Sequence, residues 1–545
     1  MTTNEHAAVL DSAHIGDIRG ALGTIRQGDV GSRNSLWHRL KTLLAILGPG
    51  LIVMVGDNDA GAFGTYSQAG QNYGTSLLWS LALLIPVLYV NQEMVLRLGA
   101  VTGVGHARLI FERFGKFWGA FSVIDLFILN ALTIVTEFIG ISLGLGFLGI
   151  PKLAGVAIAS VLIILAAGTG DFRRFERFSL ILVAGSFLLV PIFVMAHPPI
   201  SQVLHDFVTP QMPKAAKLSD VMLLIIAIVG TTVAPWQLFF QQSYVIDKRI
   251  TPRFIKYERI DLWLGIVIVI VGAVAMIAFT SATFAGHPEF GNFTDAGGVA
   301  AGLARYHGKL AGTLFAIALI DASIIGASAV SLSTAYAIGD VLSLKHSLHR
   351  KATEAKGFYA VYAALIVIAA ALVVIPGIPL GLLTNAVQTL AGILLPSATV
   401  FLLLLCNDRE VLGPWVNGKV LNTFTAFVCG ILIVLSLVLT ASVVFPGLSG
   451  NSIIMILVGG GIAGVLTAAG MRVRHVWKGA GQHDIEPDRA LVYTAEEVIN
   501  WRMPALDALK PAQLSVTKRT WMGVLRAYLV IATVMVIYKV IQTGF

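Results

Sequence analysis

An all-α polytopic membrane protein whose first ten spans form two inverted five-helix repeats is predicted by three observations. These are apolar runs of membrane length, basic residues confined to alternate loops, and helix breakers in the first and sixth runs. Composition sets the class: of 545 residues, 56% are hydrophobic and 12% charged, with mean hydropathy +0.81. A soluble domain carries about 25% charge. The formal net charge of +8 would suit a nucleic-acid partner, but its basic residues collect in alternate short loops, as they do in membrane proteins. A lipid bilayer is therefore the expected partner, and nucleic acid is not. Cys406 and Cys429 lie inside apolar runs, so neither a disulfide framework nor a thiolate metal cluster is expected.

Residues 1–44 are polar and mixed, without the basic-then-apolar order of a cleaved signal, and read as a cytosolic tail. Runs of about 20 apolar residues place spans at 45–69, 74–96, 118–148, 153–169, 179–197 and 220–246. Six more fall at 261–284, 310–340, 357–377, 379–405, 421–444 and 451–470. The first repeat occupies 45–197, the second 220–405, and two additional spans 421–470. Residues 471–519 form a polar tail without a catalytic motif. The apolar stretch 521–541 contains Arg526 and Lys539, so it is a further span or an interfacial helix. Inner segments before the tail hold 23 Lys and Arg against 5 in the outer loops, which places the N-terminus and the long tail in the cytosol of a plasma (inner) membrane.

The first span is interrupted by VGDNDAGAF, Val55 to Phe63, which puts Asp57 and Asp59 where lipid would be. Each carboxylate at a helix centre costs about 2.5–3.5 kcal/mol, and Gly56, Gly61 and Gly64 weaken the helix at the same point. The sixth span, IVGTTVAPWQLFFQQS from Ile228 to Ser243, carries Gly230 and Pro235. That proline has no N–H to donate and frees carbonyls in the preceding turn. Broken backbone survives at membrane depth only where protein or a water-filled cavity supplies partners. Breaks in spans one and six fix a repeat of five helices, and because five is odd, the second copy enters from the opposite face. The loops after spans two and seven, 97–117 and 285–308, fall at corresponding places. Two interrupted spans at matching positions of inverted halves mark a midplane transport site, and the arrangement is LeuT-type.

Asp57 and Asp59 on freed backbone make a cation site, because a cation neutralises the charge and satisfies the carbonyls together. Asp59 is the preferred ligand, with Asn58 in support. The alternative, pairing with a basic residue of another span, is weak because no span through the tenth has Lys or Arg near its centre. Glu137, in TIVTEFIG of span three, is a second ligand, a water-holder or an ion relay, or else a protonated acid bonded to a neighbouring helix. At the second break, carbonyls of Thr231 or Ala234 face the ion and Gln237 holds an ordered water. Trp236, Phe239 and Phe240 gate the pathway or simply pack. Asn385 and Gln388, one turn apart in span ten, are ligands or interhelical hydrogen-bonding groups. Asp125 reads as a vestibule residue, and the role of Asp321 is open. All twelve histidines fall in loops, span ends or tails, so no imidazole reaches the midplane to bind a soft metal or shuttle a proton. An all-oxygen site favours Mg²⁺, Mn²⁺ or Ca²⁺.

GPGLIVMVGDNDAGAFGTYSQAGQNYG and GTTVAPWQLFFQQSYVIDK resemble the first and sixth spans of the Nramp divalent-metal transporter family. TEFIG and LLPSATVFLLLLCNDREVLG support the likeness across 45–405. The resemblance implies a LeuT-type fold with the metal held between the two broken helices. Family members typically carry Asp-Pro-Gly-Asn in the first span; here Asp59-Ala60-Gly61-Ala62 keeps the acid and loses the amide. Their Met-Pro-His of the sixth span is Ala234-Pro235-Trp236, so the thioether and the histidine associated with proton movement are absent. The acidic pair of the third span is reduced to Glu137, with Ile134 where an Asp is usual. These departures resemble the Nramp-related magnesium transporter branch.

The leading expectation is a secondary carrier for Mg²⁺, with Mn²⁺ as companion and without proton coupling. It works as a monomer and needs no cofactor beyond the transported ion. The first alternative is a proton-coupled Mn²⁺/Fe²⁺ importer of the ordinary Nramp kind; the second is an amino-acid carrier of the same fold. An enzyme is not expected, because no nucleophile with its base and no metal triad is visible at the midplane.

Overall fold

The computed structural model describes residues 12–31, 33–213, 216–375, 380–444, 451–462 and 493–509, with 511–512 and isolated positions beyond. Among the described residues nine helices are long and apolar enough to cross a membrane. The broken first span, the 17-residue helix Lys152–Gly168 and the apolar helix Asn451–Ile462 occupy the other three expected positions.

The first span comprises helices Pro49–Val55 and Ala60–Tyr73, interrupted over Gly56–Asp59. It is preceded by a separate helix, Leu36–Ile46, bent from Pro49–Val55 by 52°. The bend sits at Gly48, whose φ of 153° suits glycine, followed by Pro49 at the first helical position. Asp261 of span seven accepts from the N–H groups of Gly48 (3.1 Å) and Gly50 (2.7 Å), meeting donors that no earlier turn can satisfy. The sixth span is Leu218–Thr232 followed by Pro235–Asp247, interrupted at Val233 and Ala234.

The inverted repeat is visible in the corners as well as in the breaks. The loop after span two folds into helix His106–Phe114, and the loop after span seven into Ala296–His307. Each ends on a glycine that opens the next long helix: Gly115 (φ 99°, ψ 163°) before Lys116–Phe147, and Gly308 (φ 93°, ψ 155°) before Lys309–Val341. The same backbone turn thus recurs at equivalent points of the two halves. Spans three and eight lie against each other over small residues. A side chain on Gly144 would start 2.6 Å from Ile320 and 2.8 Å from the Ala316 carbonyl, the close approach that packs helices in lipid. Span five, Phe172–Gly185 continued by Leu189–Ala196, tightens to a 3₁₀ turn at Ser186–Leu188. Pro191 has no N–H for the Phe187 carbonyl, which accounts for the change of pitch.

The N-terminal segment is more structured than a polar tail suggests. Strands Ile18–Gly20 and Gly23–Ile25 pair as a hairpin. Gly20 and Gly23 let its backbone rest on Ala45, where any side chain would collide. At the other end of the chain, helix Ala495–Asn500 docks on the face that carries loops 97–117 and 406–420. Trp415 Nε1 donates to the Val498 carbonyl at 2.9 Å, and Ala512 N to the Arg113 carbonyl at 2.9 Å. This is the face to which loop parity assigns the tail. The expected assignments for 471–492, 513–519 and most of 521–541 lie outside the described residues.

Candidate functional site

Both breaks meet at the core of the bundle, and the site is built on the N-terminus of helix Ala60–Tyr73. Asp59 caps it, its Oδ1 accepting from Ala62 N at 2.9 Å. Glu137 reaches the same turn from span three, its Oε2 accepting from Ala60 N at 3.2 Å. In a continuous helix that N–H would go to the Gly56 carbonyl, so the break and the carboxylate explain each other. Two acids on one helix N-terminus are favoured by its partial positive charge. Glu137 Oε1 nevertheless has no partner, and both residues are buried. Asp57, also buried, leaves both carboxylate oxygens without a hydrogen bond, and Gln237 faces it. Buried polar atoms left unpaired cost about 1–3 kcal/mol each, more when charged. A cation would repay this cost.

The other predicted positions divide into those brought to the site and those held away. Gln388 of span ten sits directly over Gly61, with Asp59 Oδ1 3.1 Å from where a Gly61 side chain would begin, and its Nε2 is unpartnered. Thr231 Oγ1 is buried without a partner, and Pro235 deprives the Thr231 carbonyl of its helical N–H. Ala234 is less free than expected, because its carbonyl already accepts from Gln237 N at 3.2 Å; a second lone pair remains. Gln237 Oε1 accepts from Gln92 Nε2 at 3.0 Å while its Nε2 is unpaired. Asn58 is a strut, its Nδ2 donating to the Val269 carbonyl of span seven at 3.1 Å. Trp236 is buried with its indole 3.7 Å from the point where a Gly56 side chain would start, and Ser333 of span eight donates to its carbonyl at 2.9 Å. Its indole therefore packs against the first break. The side chain of Asn385 lies outside the described residues. Asp321 lies against Gly185 of span five, away from the acids.

Two clefts approach the site from opposite faces and stop short of it. One, narrow enough for about a single water, is lined by Ala60, Gly64, Thr136, Phe293 and Asp295. The other, equally narrow, is lined by Asp125, Leu126, Pro235, Phe239 and Phe401. Neither is lined by Asp59 or Glu137, and the acids are shut off from both sides. Composition gave no hint that His106 approaches this route. Its ring packs edge-on against Phe239 with centroids 4.8 Å apart, and Nδ1 meets Gln242 Oε1 at 3.1 Å. Burial lowers its pKa to about 4, so the imidazole is neutral at pH 7 and does not repel a passing cation. Among the described residues no three His, Cys, Asp or Glu side chains converge as a metal cage. A cation here would take two carboxylates, neutral oxygens and retained water, which suits a hard ion.

A sequence model described as natural resistance-associated macrophage protein-like matches residues 50–442. The divalent metal cation transporter MntH of Verminephrobacter eiseniae is 30% identical over 428 residues, covering 75% of this chain and 92% of that protein. The transporter of the same name from Ralstonia nicotianae is 28% identical, covering 70% and 87%. Among solved structures, a manganese transporter of Eremococcus coleocola bound to an aromatic bis-isothiourea compound superposes with TM-score 0.63 at 20% identity. It covers 82% of this chain and 96% of that one, so the LeuT-type arrangement read from the two breaks is the fold.

Proposed function

The chain belongs to the natural resistance-associated macrophage protein-like (Nramp) family, and from that premise we propose that it moves Mg²⁺, with Mn²⁺ as companion, without proton coupling. It is an integral membrane carrier of divalent cations rather than an enzyme, and membership sets aside the amino-acid carrier. The observation that carries the finer reading is the donor set. Asp59 and Glu137 share one helix N-terminus, and the break of span six offers the carbonyls of Thr231 and Ala234, with Ala234 and Trp236 in place of a thioether and an imidazole. Oxygen donors alone suit an ion that keeps several of its waters. Asp59, Glu137 and those carbonyls hold the ion between the two closed clefts, and rocking of the helix bundle opens one cleft at a time. The N-terminus lies in the cytosol and the carrier sits in the plasma (inner) membrane.

Flux into proteoliposomes with Mg²⁺, Mn²⁺ and a pH-sensitive dye tests this directly. Metal entry without lumenal acidification at clamped potential is the expected result. The competing reading, a proton-coupled Mn²⁺/Fe²⁺ importer, draws on Glu137 lying beside Asp59, where one acid can pass a proton to the other. A metal-dependent acidification that Glu137→Gln removes would establish it. Against it, Trp236 offers an indole that cannot accept a proton, and Ile134 leaves Glu137 with no acid beside it for onward transfer.

Selectivity follows from the same donors. Ala234→Met combined with Ala62→Asn adds a soft sulfur and an amide oxygen. Preference should move toward Mn²⁺ or Cd²⁺ by about tenfold, the effect of roughly 1.4 kcal/mol, in competition transport. Unchanged selectivity would sink this account of the donors.

A further inference from the structure

We infer that Gly326 of span eight is a positioning residue for cation affinity: its missing side chain is what keeps Asp59 and Glu137 together at the site. The inference rests on those two acids binding the cargo, as proposed above. Gly326 is buried in the middle of helix Lys309–Val341. Glycine there costs about 1 kcal/mol relative to alanine, and Ala322, Ala327 and Ala329 show that small side chains are otherwise accommodated in this stretch. At 326 the backbone lies directly under both acids. A Cβ at this position would stand 2.8 Å from Glu137 Cδ, 2.8 Å from Glu137 Oε2 and 3.0 Å from Asp59 Cβ. The two acids therefore flank a single point on span eight.

The chemistry of a substitution follows from which group can yield. Asp59 is fixed by its cap to Ala62 N, and its Cβ lies next to the backbone. The Glu137 carboxylate is the far end of a flexible side chain, held by the Ala60 N–H at 3.2 Å and by its contact with Asp59. A methyl at 326 displaces Glu137, not the helix. The carboxylate leaves Ala60 and moves away from Asp59, and a divalent ion held at Asp59 loses one of its carboxylate partners. Charge count and spacing of ligands are what set affinity among hard cations, so the residue at 326 chooses how much charge the site offers.

The test is calorimetric titration of the purified full-length protein with MgCl₂ and MnCl₂. Gly326→Ala should weaken both by about 10- to 100-fold, as loss of a ligand-orienting contact does, while the protein still unfolds cooperatively. Glu137→Asp withdraws the carboxylate by one methylene and makes room for the methyl. Adding Gly326→Ala to Glu137→Asp should therefore cost little further affinity, a coupling that a double-mutant cycle reads. Wild-type affinity in Gly326→Ala would overturn the inference, and so would an equal loss in both backgrounds, which marks a packing defect. Asp59→Ala and Glu137→Gln separate the underlying reading. If they bind metal like wild type, the site itself is misplaced; if they do not and Gly326→Ala does, only the role of Gly326 fails.

Discussion

Asp59→Ala is expected to abolish divalent-cation binding and flux in a protein that still folds. The carboxylate is buried, receives the Ala62 N–H, and shares its helix N-terminus with Glu137. Opposite unit charges 4 Å apart at an effective dielectric near 20 attract by about 4 kcal/mol, and a divalent ion feels that twice over. Even after large desolvation losses, removal should weaken binding by at least about 100-fold, near 2.7 kcal/mol. Folding suffers less. Losing the cap costs about 0.5–2 kcal/mol, but the same change removes a buried charge beside Glu137. Asp59→Asn separates the two contributions, since the amide can still cap the helix without carrying charge. Both variants should lose Mg²⁺ titration heats, and Asp59→Asn should melt closer to wild type. Unchanged Mg²⁺ affinity in either would remove Asp59 from the site.

The parts of this arrangement that were legible in the sequence are those with local signals. Charges inside an apolar run, glycine and proline at membrane depth, and basic residues in alternate loops each announce themselves within a few residues. They were enough for the helical membrane class and for the breaks in the first and sixth spans. Contacts between distant segments left no such mark. Glu137 stood out as an intramembrane acid, but nothing near it in the chain shows that it takes the Ala60 N–H. Gly326 has neither charge nor hydropathy, and it matters only because span eight lies under both acids. Ala234 looked like a freed carbonyl until the helix after Pro235 supplied the Gln237 N–H. His106 counted as a loop residue, yet its loop folds into a helix that turns the ring inward onto Phe239. Lys248 entered the sequence argument only as one more inner-face charge, and it proves to be fully buried.

That burial makes Lys248→Met the second large effect, this time on stability. The ammonium donates to the carbonyls of Ile46 (2.6 Å) and Leu47 (2.9 Å) and to Glu176 Oε1 (2.7 Å), which uses all three of its N–H bonds. Both partners of the ion pair are wholly inaccessible. Glu176 Oε2 in turn accepts from Ala21 N of the N-terminal hairpin at 2.5 Å. One lysine thus ties together the hairpin, the end of helix Leu36–Ile46, span five and the end of span six. Methionine matches its length but leaves Glu176 as an uncompensated buried charge and two carbonyls without donors. Breaking a buried pair in this way costs about 3–5 kcal/mol. Glu176→Gln added to Lys248→Met removes the stranded charge and should recover a large part of that loss, because the penalty comes mainly from the isolated carboxylate. Thermal unfolding in detergent should rank wild type above the double variant and the double variant well above Lys248→Met. A single variant that melts like wild type, or a double variant no better than the single, would show that the pair does not hold these elements together.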